Sequence, residues 1–200
     1  MKVLGISSGK GSGAAIMEDG KIIAAASEER FTRIKNDPAF PYKSLEFVLN
    51  FSDTKLSDID HIGVGCLHGV FEDYLPTVVE DIFNYLENDP SSVTNVRKKL
   101  VNSIKRDLTF RDDFLEKMVD LGFEEKKVTF YEHHTSHAST AFECSPFDEA
   151  LVITLDGRGD LKSGTISHAT RKSGLKLLTS NNMLDSVGVF YGFITNFLGF

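Results

Sequence analysis

The same order of elements can be read twice along this chain: strand, glycine-rich turn, strand, turn, strand, helix. A repeated order of this kind calls for two similar packed layers. In the first pass Val3 to Ser7 is strand-like, Gly13 to Met17 is short and apolar, and Glu18-Asp19-Gly20-Lys21 offers a hairpin turn into a strand over Ile22 to Ala26. Phe40-Pro41 then precedes a helix with Leu45, Val48 and Leu49 on its apolar side. In the second pass Ala150 to Leu155 is an apolar strand ending in Asp156-Gly157-Arg158-Gly159-Asp160. Gly164 to His168 and Lys176 to Leu178 read as strands around a Lys172-Ser173-Gly174 turn, and Val187 to Leu198 as a helix. Between the passes lie a strand at Ile59 to Val64, helical periodicity over Tyr74 to Leu86 and roughly 93 to 120, a strand at Lys127 to Tyr131 and a short helix over 135 to 143. The expectation is an α/β protein with a first domain at 1–147, carrying a helical insertion, and an incomplete second domain at 148–200. Phe197-Leu198-Gly199-Phe200 would otherwise leave apolar groups without a mate.

Charge and composition narrow the function classes. The chain has 29 acidic against 22 basic residues, a formal net charge of -7, which argues against coating nucleic acid or an anionic membrane. Hydrophobic residues make up 41%, enough for a real core. The start, MKVLGISS, runs directly into a strand with no apolar leader, and no stretch is long enough to span a bilayer, so the cytoplasm is the expected location. Cys66 and Cys144 lie far apart in apolar or small surroundings and read as two buried thiols.

The most informative stretch is Tyr131-Glu132-His133-His134-Thr135-Ser136-His137. His133 and His137 are four apart, so on a helical turn they share a face, and two neutral imidazoles so placed suit a borderline divalent metal. A plain surface or buried histidine pair has the same spacing. Asp156, carried to the C-terminal end of an apolar strand, could complete a two-histidine, one-carboxylate set, or could be an ordinary Asp-Gly turn residue. Gly157 and Gly159 would let backbone N–H groups approach a phosphate. His134 points elsewhere, either to orient a phosphate or donate a proton, or simply as a supporting or partly exposed histidine. The stretch is no zinc-protease motif, because it lacks the general-base Glu of HExxH.

These residues resemble the nodulation and antibiotic-biosynthesis O-carbamoyltransferase family. The likeness runs through Ala26-Ser27-Glu28-Glu29-Arg30-Phe31-Thr32-Arg33-Ile34-Lys35, Phe40-Pro41, the histidine block, Ser139 to Asp148, Leu155-Asp156-Gly157-Arg158-Gly159, Asp185-Ser186-Val187-Gly188 and Tyr191-Gly192-Phe193-Ile194-Thr195. The resemblance implies a duplicated RNase-H-like fold of the actin, sugar-kinase and Kae1-like superfamily, its second domain truncated here. It also implies a C-terminal YrdC-like domain of the same protein, which makes carbamoyl-adenylate from carbamoyl phosphate and ATP. The carbamoyl group would pass to a hydroxyl of a small-molecule acceptor. His133, His137 and Asp156 would be metal ligands, with iron ahead of zinc or manganese, and a further Asp ligand would lie beyond Phe200. The fragment alone would then be inactive. His134 is the candidate base for the hydroxyl proton. The family's first loop often carries a His and an Asp or Asn followed by Ser, whereas this chain reads Ser8-Gly9-Lys10-Gly11-Ser12-Gly13.

Lys10 could hold phosphate in that loop, and Arg33 and Lys35 could capture the donor's phosphate, Lys35 being preferred. A flexible turn and surface ion pairs with Glu28 and Glu29 are the plainer alternatives. Gly157, Arg158 and Gly159 complete the expected donor-binding set. The rival functions are a sugar- or acetate-kinase-like phosphotransferase, a threonylcarbamoyl transferase acting on tRNA, and a non-enzymatic metal-binding module. No membrane or nucleic-acid partner is expected, and a homodimer is compatible with the sequence.

Overall fold

The computed structural model describes residues 1–66, 80 and 109–200, so the helical readings over Tyr74 to Leu86 and 93–108 lie outside the described residues, apart from Glu80. The described chain forms two compact units, one from 1–66 with 109–131, the other from 132–200.

The first unit is a five-stranded mixed sheet. Its strands are β1 (Lys2–Ser7), β2 (Gly13–Glu18), β3 (Lys21–Ser27), β4 (His61–Val64) and β5 (Val128–Phe130), in the order β3-β2-β1-β4-β5. β1 and β2 are antiparallel, as are β2 and β3, while β1 pairs in parallel with β4, and β4 with β5. The hairpin expected at Asp19-Gly20 joins β2 to β3, both residues having positive φ. Leu4, Ile6, Ile16, Ile62 and Val64 are buried among Leu45 and Val48 of helix α2 (Tyr42–Phe51) and Phe114 and Met118 of the helical segment α3 (residues 109–120). Each such side chain contributes about 1.5–3 kcal/mol relative to exposure.

A one-turn helix, α1 (Glu29–Thr32), precedes α2 and was not legible in the sequence; Arg33 closes it in the left-handed conformation. Glu28 is not a surface ion-pair partner. It is buried, and its carboxylate accepts the N–H groups of Lys43 at 3.0 Å and Ser44 at 2.7 Å, and the Ser44 hydroxyl at 2.9 Å. It thereby satisfies orphan donors at the start of α2. Glu29 does take part in an exposed ion pair, with Arg30 at 3.2 Å. The first loop is tied down by Ser12, whose N–H donates to Asp37 O at 3.1 Å and whose carbonyl accepts from Glu28 N–H at 2.9 Å.

The second unit is an antiparallel meander of β6 (Glu149–Gly159), β7 (Lys162–Thr170) and β8 (Gly174–Asn182), longer strands than the sequence indicated. Helix α4 (His133–Glu143) packs on it, with Ala138 and Phe142 against Val152 and Ala169. Arg171 fixes the end of α4. Its guanidinium lies 4.6 Å from the Phe142 ring centre and donates to Glu143 at 2.7 Å and to Ser145 O at 2.6 Å. Because α4 packs on this sheet, the compact units divide at Tyr131/Glu132, whereas the divide expected from sequence, 147/148, falls just before β6. A second helix, α5 (Val187–Phe197), follows β8, capped by the Ser186 hydroxyl on Val189 N–H. The fold class is α/β with a mixed sheet, and the second unit opens with the same three-stranded antiparallel order as the first. Neither cysteine is buried as expected: Cys144 is exposed just past α4 and Cys66 is half-buried, and the two are not joined in a disulfide.

Candidate metal centre

The histidines stand at the beginning of α4 because two carboxylates satisfy its first N–H groups. Glu132, the N-cap, accepts Thr135 N–H at 2.7 Å and the Thr135 hydroxyl at 3.0 Å. Asp160, from the turn after β6, accepts His133 N–H at 2.7 Å. The helix therefore starts at His133, two residues earlier than the sequence indicated, and His133 and His137 fall one turn apart on one face.

Asp156 reaches the same place from the sheet. Val152 and Thr154 face α4, and strand alternation puts Asp156 on that side too. The strand does not end at Leu155 as expected. Pairing with β7 is interrupted between Leu155 and Gly159, so Asp156, Gly157 and Arg158 bulge from the ladder before it resumes. The Asp156 carboxylate then lies 2.7 Å from His133 Nε2 and 3.8 Å from His137 Nε2, through the same Oδ2, and the two Nε2 atoms are 3.0 Å apart. The other oxygen, Oδ1, accepts Gly157 N–H, and the Asp156 carbonyl accepts the Ser186 hydroxyl at 3.0 Å.

Charge and burial set the protonation of the cluster. Burial pushes the Asp156 carboxyl up, but the bonds from His133 and Gly157 and the neighbouring imidazoles outweigh it and hold the group below its ordinary value. Burial lowers the His137 imidazole, and His133 beside it lowers it further, so His137 favours the neutral form. A neutral His137 nitrogen and an ionised Asp156 carboxylate suit a divalent cation. The three ligand atoms lie within 4.8 Å of one another. Ligands on one metal with bonds of about 2.1 Å sit about 3.0–3.4 Å apart at right or tetrahedral angles. The distances among these three atoms bracket that spacing, so the residues fit a divalent ion.

His134 goes the other way. It is completely buried, and its Nδ1 meets Thr154 Oγ1 at 2.9 Å, which in turn meets Thr165 Oγ1 at 2.8 Å. Burial lowers its pKa, partly offset by the Lys162 backbone. A ring so enclosed presents no surface from which to exchange a proton with a substrate, and its place is structural: it ties α4 to β6.

Gly157 and Gly159, expected to approach a phosphate, lie against the histidine-aspartate cluster. Gly157 N–H is engaged by Asp156, and a β-carbon on Gly159 would overlap the His133 ring. Arg158 is exposed beside them. Lys10, Arg33 and Lys35 are exposed in the first unit, Lys10 between Gly9 and Gly11, which both have positive φ. The structure therefore brings together His133, His137 and Asp156, and places the expected basic set in the other unit.

Glu132, Asp160, Thr154 and Ser186 were not singled out from sequence. The signal for Glu132 was its place three residues before Thr135, and for Asp160 its place in Asp156-Gly157-Arg158-Gly159-Asp160. Gly188 also matters: a β-carbon there would lie 2.7 Å from Gly157 N and 2.8 Å from the Asp156 carbonyl, so its absence lets α5 begin against the bulge.

Residues 2–200 match the family described as carbamoyltransferase N-terminus. The chain is 33% identical over 198 residues to an uncharacterized protein of Methanocaldococcus jannaschii, covering 99% of this chain and 30% of that protein. It is 29% identical over 187 residues to the nodulation protein NolNO of Sinorhizobium fredii, covering 94% of this chain and 25% of that protein. The chain thus spans under a third of the length of these relatives. Among solved structures, YeaZ from Pseudomonas aeruginosa aligns at a TM-score of 0.44 and 11% identity, over 90% of this chain and 65% of that one.

Proposed function

Since the chain belongs to the carbamoyltransferase N-terminus family, we propose that it supplies a divalent-metal site, His133, His137 and Asp156, to a protein that transfers a carbamoyl group to a substrate hydroxyl. The observation that carries this reading is the convergence of two imidazole nitrogens and one carboxylate oxygen, from a helix start and a strand bulge, within 4.8 Å. The donor proposed is carbamoyl-adenylate, made from carbamoyl phosphate and ATP by a YrdC-like domain of the same protein. The acceptor proposed is a small molecule carrying a hydroxyl. Sheet β6-β7-β8 is read as the opening of a second RNase-H-like domain. The metal proposed is iron, with zinc or manganese as alternatives, all of which suit mixed nitrogen and oxygen ligands.

When bound, the ion would supply a Lewis acid toward the donor's carbonyl or phosphate oxygens. The residues of this chain have separate tasks. His133 and His137 present Nε2 lone pairs, and Gly157 holds one Asp156 oxygen so that the other faces the imidazoles. Gly159 gives the His133 ring its space, and His134 with Thr154 keeps α4 at a fixed height on the sheet. Exposed Lys10, Arg33 and Lys35 are proposed to attract the donor's phosphate. No membrane attachment is proposed, and no helix among the described residues is long and apolar enough to cross a membrane. A cytoplasmic location and a homodimer are part of the same proposal.

The test is metal content and carbamoyl transfer in the whole protein and in His133→Ala, His137→Ala and Asp156→Ala. Loss of both properties in each variant supports the reading. Full transfer after removal of any of the three contradicts it.

A further inference from the structure

We infer that the turn joining β6 to β7 is a clamp that positions His133, with Asp160 as its key residue; the inference rests on the metal reading above. The turn grips the start of α4 at three points. Gly159 leaves room for the His133 ring, which any β-carbon there would overlap. Asp160, itself buried, accepts His133 N–H at 2.7 Å. Lys162 lies 3.6 Å from Glu132, the N-cap, with both side chains nearly enclosed. Ring, backbone and cap of one ligand-bearing turn of helix are therefore held by residues within one four-residue hairpin.

The backbone of the turn carries the second observation. Gly159 pairs with Lys162, and the two residues between them, Asp160 and Leu161, have φ of 46° and 66°. Such a two-residue connection favours Asn and Gly, and a buried leucine in the left-handed region is uncommon. Conformations of this kind persist where surrounding contacts over-determine them. Leu161 is buried and its carbonyl accepts Met183 N–H at 2.9 Å, while Asp160 is held by His133. An easier turn, with glycine at 160, would close the same hairpin without the bond to His133 N–H. Asp160 therefore directs Nε2 of His133, rather than merely turning the chain, and acts through His133 as a positioning residue.

The experiment uses Asp160→Gly and Asp160→Asn in the whole protein. Glycine suits the left-handed position but removes the acceptor; asparagine suits it and keeps a carbonyl acceptor. Three quantities are read: melting temperature, zinc affinity by chelator competition, and hydrogen exchange of the segment holding His133 in metal-free protein. Asp160→Gly is expected to melt near the parent temperature, bind zinc about 10–100-fold more weakly and exchange faster at the start of α4. Asp160→Asn is expected to stay within about threefold of the parent affinity, because its acceptor remains. Parent-like zinc affinity in Asp160→Gly overturns the inference, and so does its failure to fold, which would make Asp160 a folding residue. A parent protein that binds no zinc and no other divalent ion overturns the metal reading instead. The clamp is then judged on exchange alone, and unchanged exchange in Asp160→Gly refutes it.

Discussion

The ring of His133 lies against the α-carbon of Gly159, in space that a β-carbon would occupy. Gly159→Ala must therefore push the ring away from Asp156, at a cost of about 1–3 kcal/mol in stability. Gly157, two residues earlier, has nothing within 4 Å of where its β-carbon would stand. Gly157→Ala is expected to bind metal like the parent, and Gly159→Ala to lose it, both measured by metal analysis with denaturant unfolding. Equal loss in the two variants would contradict this packing role for Gly159.

His134 gives a pH dependence of stability. Its folded pKa lies below the ordinary 6.5, chiefly through burial. The unfolded chain therefore takes up the proton first as pH falls. Stability contributed by neutral His134 is fully present above about pH 6.5 and declines below it until the folded pKa is reached. Glu132, His133 and Asp156 also face this ring, so the comparison is made with chelator present. Between pH 7.5 and 5.5 the parent should lose more stability than His134→Gln. Parallel curves for the two proteins would remove His134 from the account.

Glu28 joins the end of β3 to the start of α2. In Glu28→Gln an amide N–H₂ replaces one acceptor oxygen opposite the N–H groups of Lys43 and Ser44. The expected loss is about 1–3 kcal/mol in denaturant unfolding, the cost of buried polar groups left unsatisfied. A change within the scatter of surface substitutions would show the contact to be dispensable.

Local patterns were the legible part of this molecule. The Asp19-Gly20 hairpin, the apolar face of α2 and the shared face of His133 and His137 follow from spacing alone. What spacing could not show was long-range. Nothing near His133 announces that its N–H is met by Asp160, twenty-seven residues on. The bulge at Asp156 depends on the register with β7, and α1 is too short to carry periodicity. Sequence does not say what approaches the glycines at 157 and 159. Here one N–H meets a carboxylate, and one bare α-carbon meets an imidazole. Glu28 looked like a surface acid because its partners are backbone N–H groups, which no sequence pattern displays.

Arg33 and Lys35 offer a prediction by ionic strength. Both are exposed, so any attraction they exert on a phosphate is screened by salt. Replacing either with Ala should weaken donor binding several-fold at low salt, and less at high salt, in titrations of the whole protein. Unchanged affinity at every salt concentration would leave them as ordinary surface charges.

The central claim is that His133, His137 and Asp156 bind one divalent ion together. Because His137 favours the neutral form, affinity should hold near neutral pH and fall as the imidazoles become protonated in acid. The most direct measurement is anomalous diffraction from crystals of the whole protein, collected at the absorption edge of the metal found by elemental analysis. The account predicts one strong peak within about 2.0–2.3 Å of His133 Nε2, His137 Nε2 and Asp156 Oδ2. A peak bonded to none of these atoms, with the three residues left as they are, would contradict it.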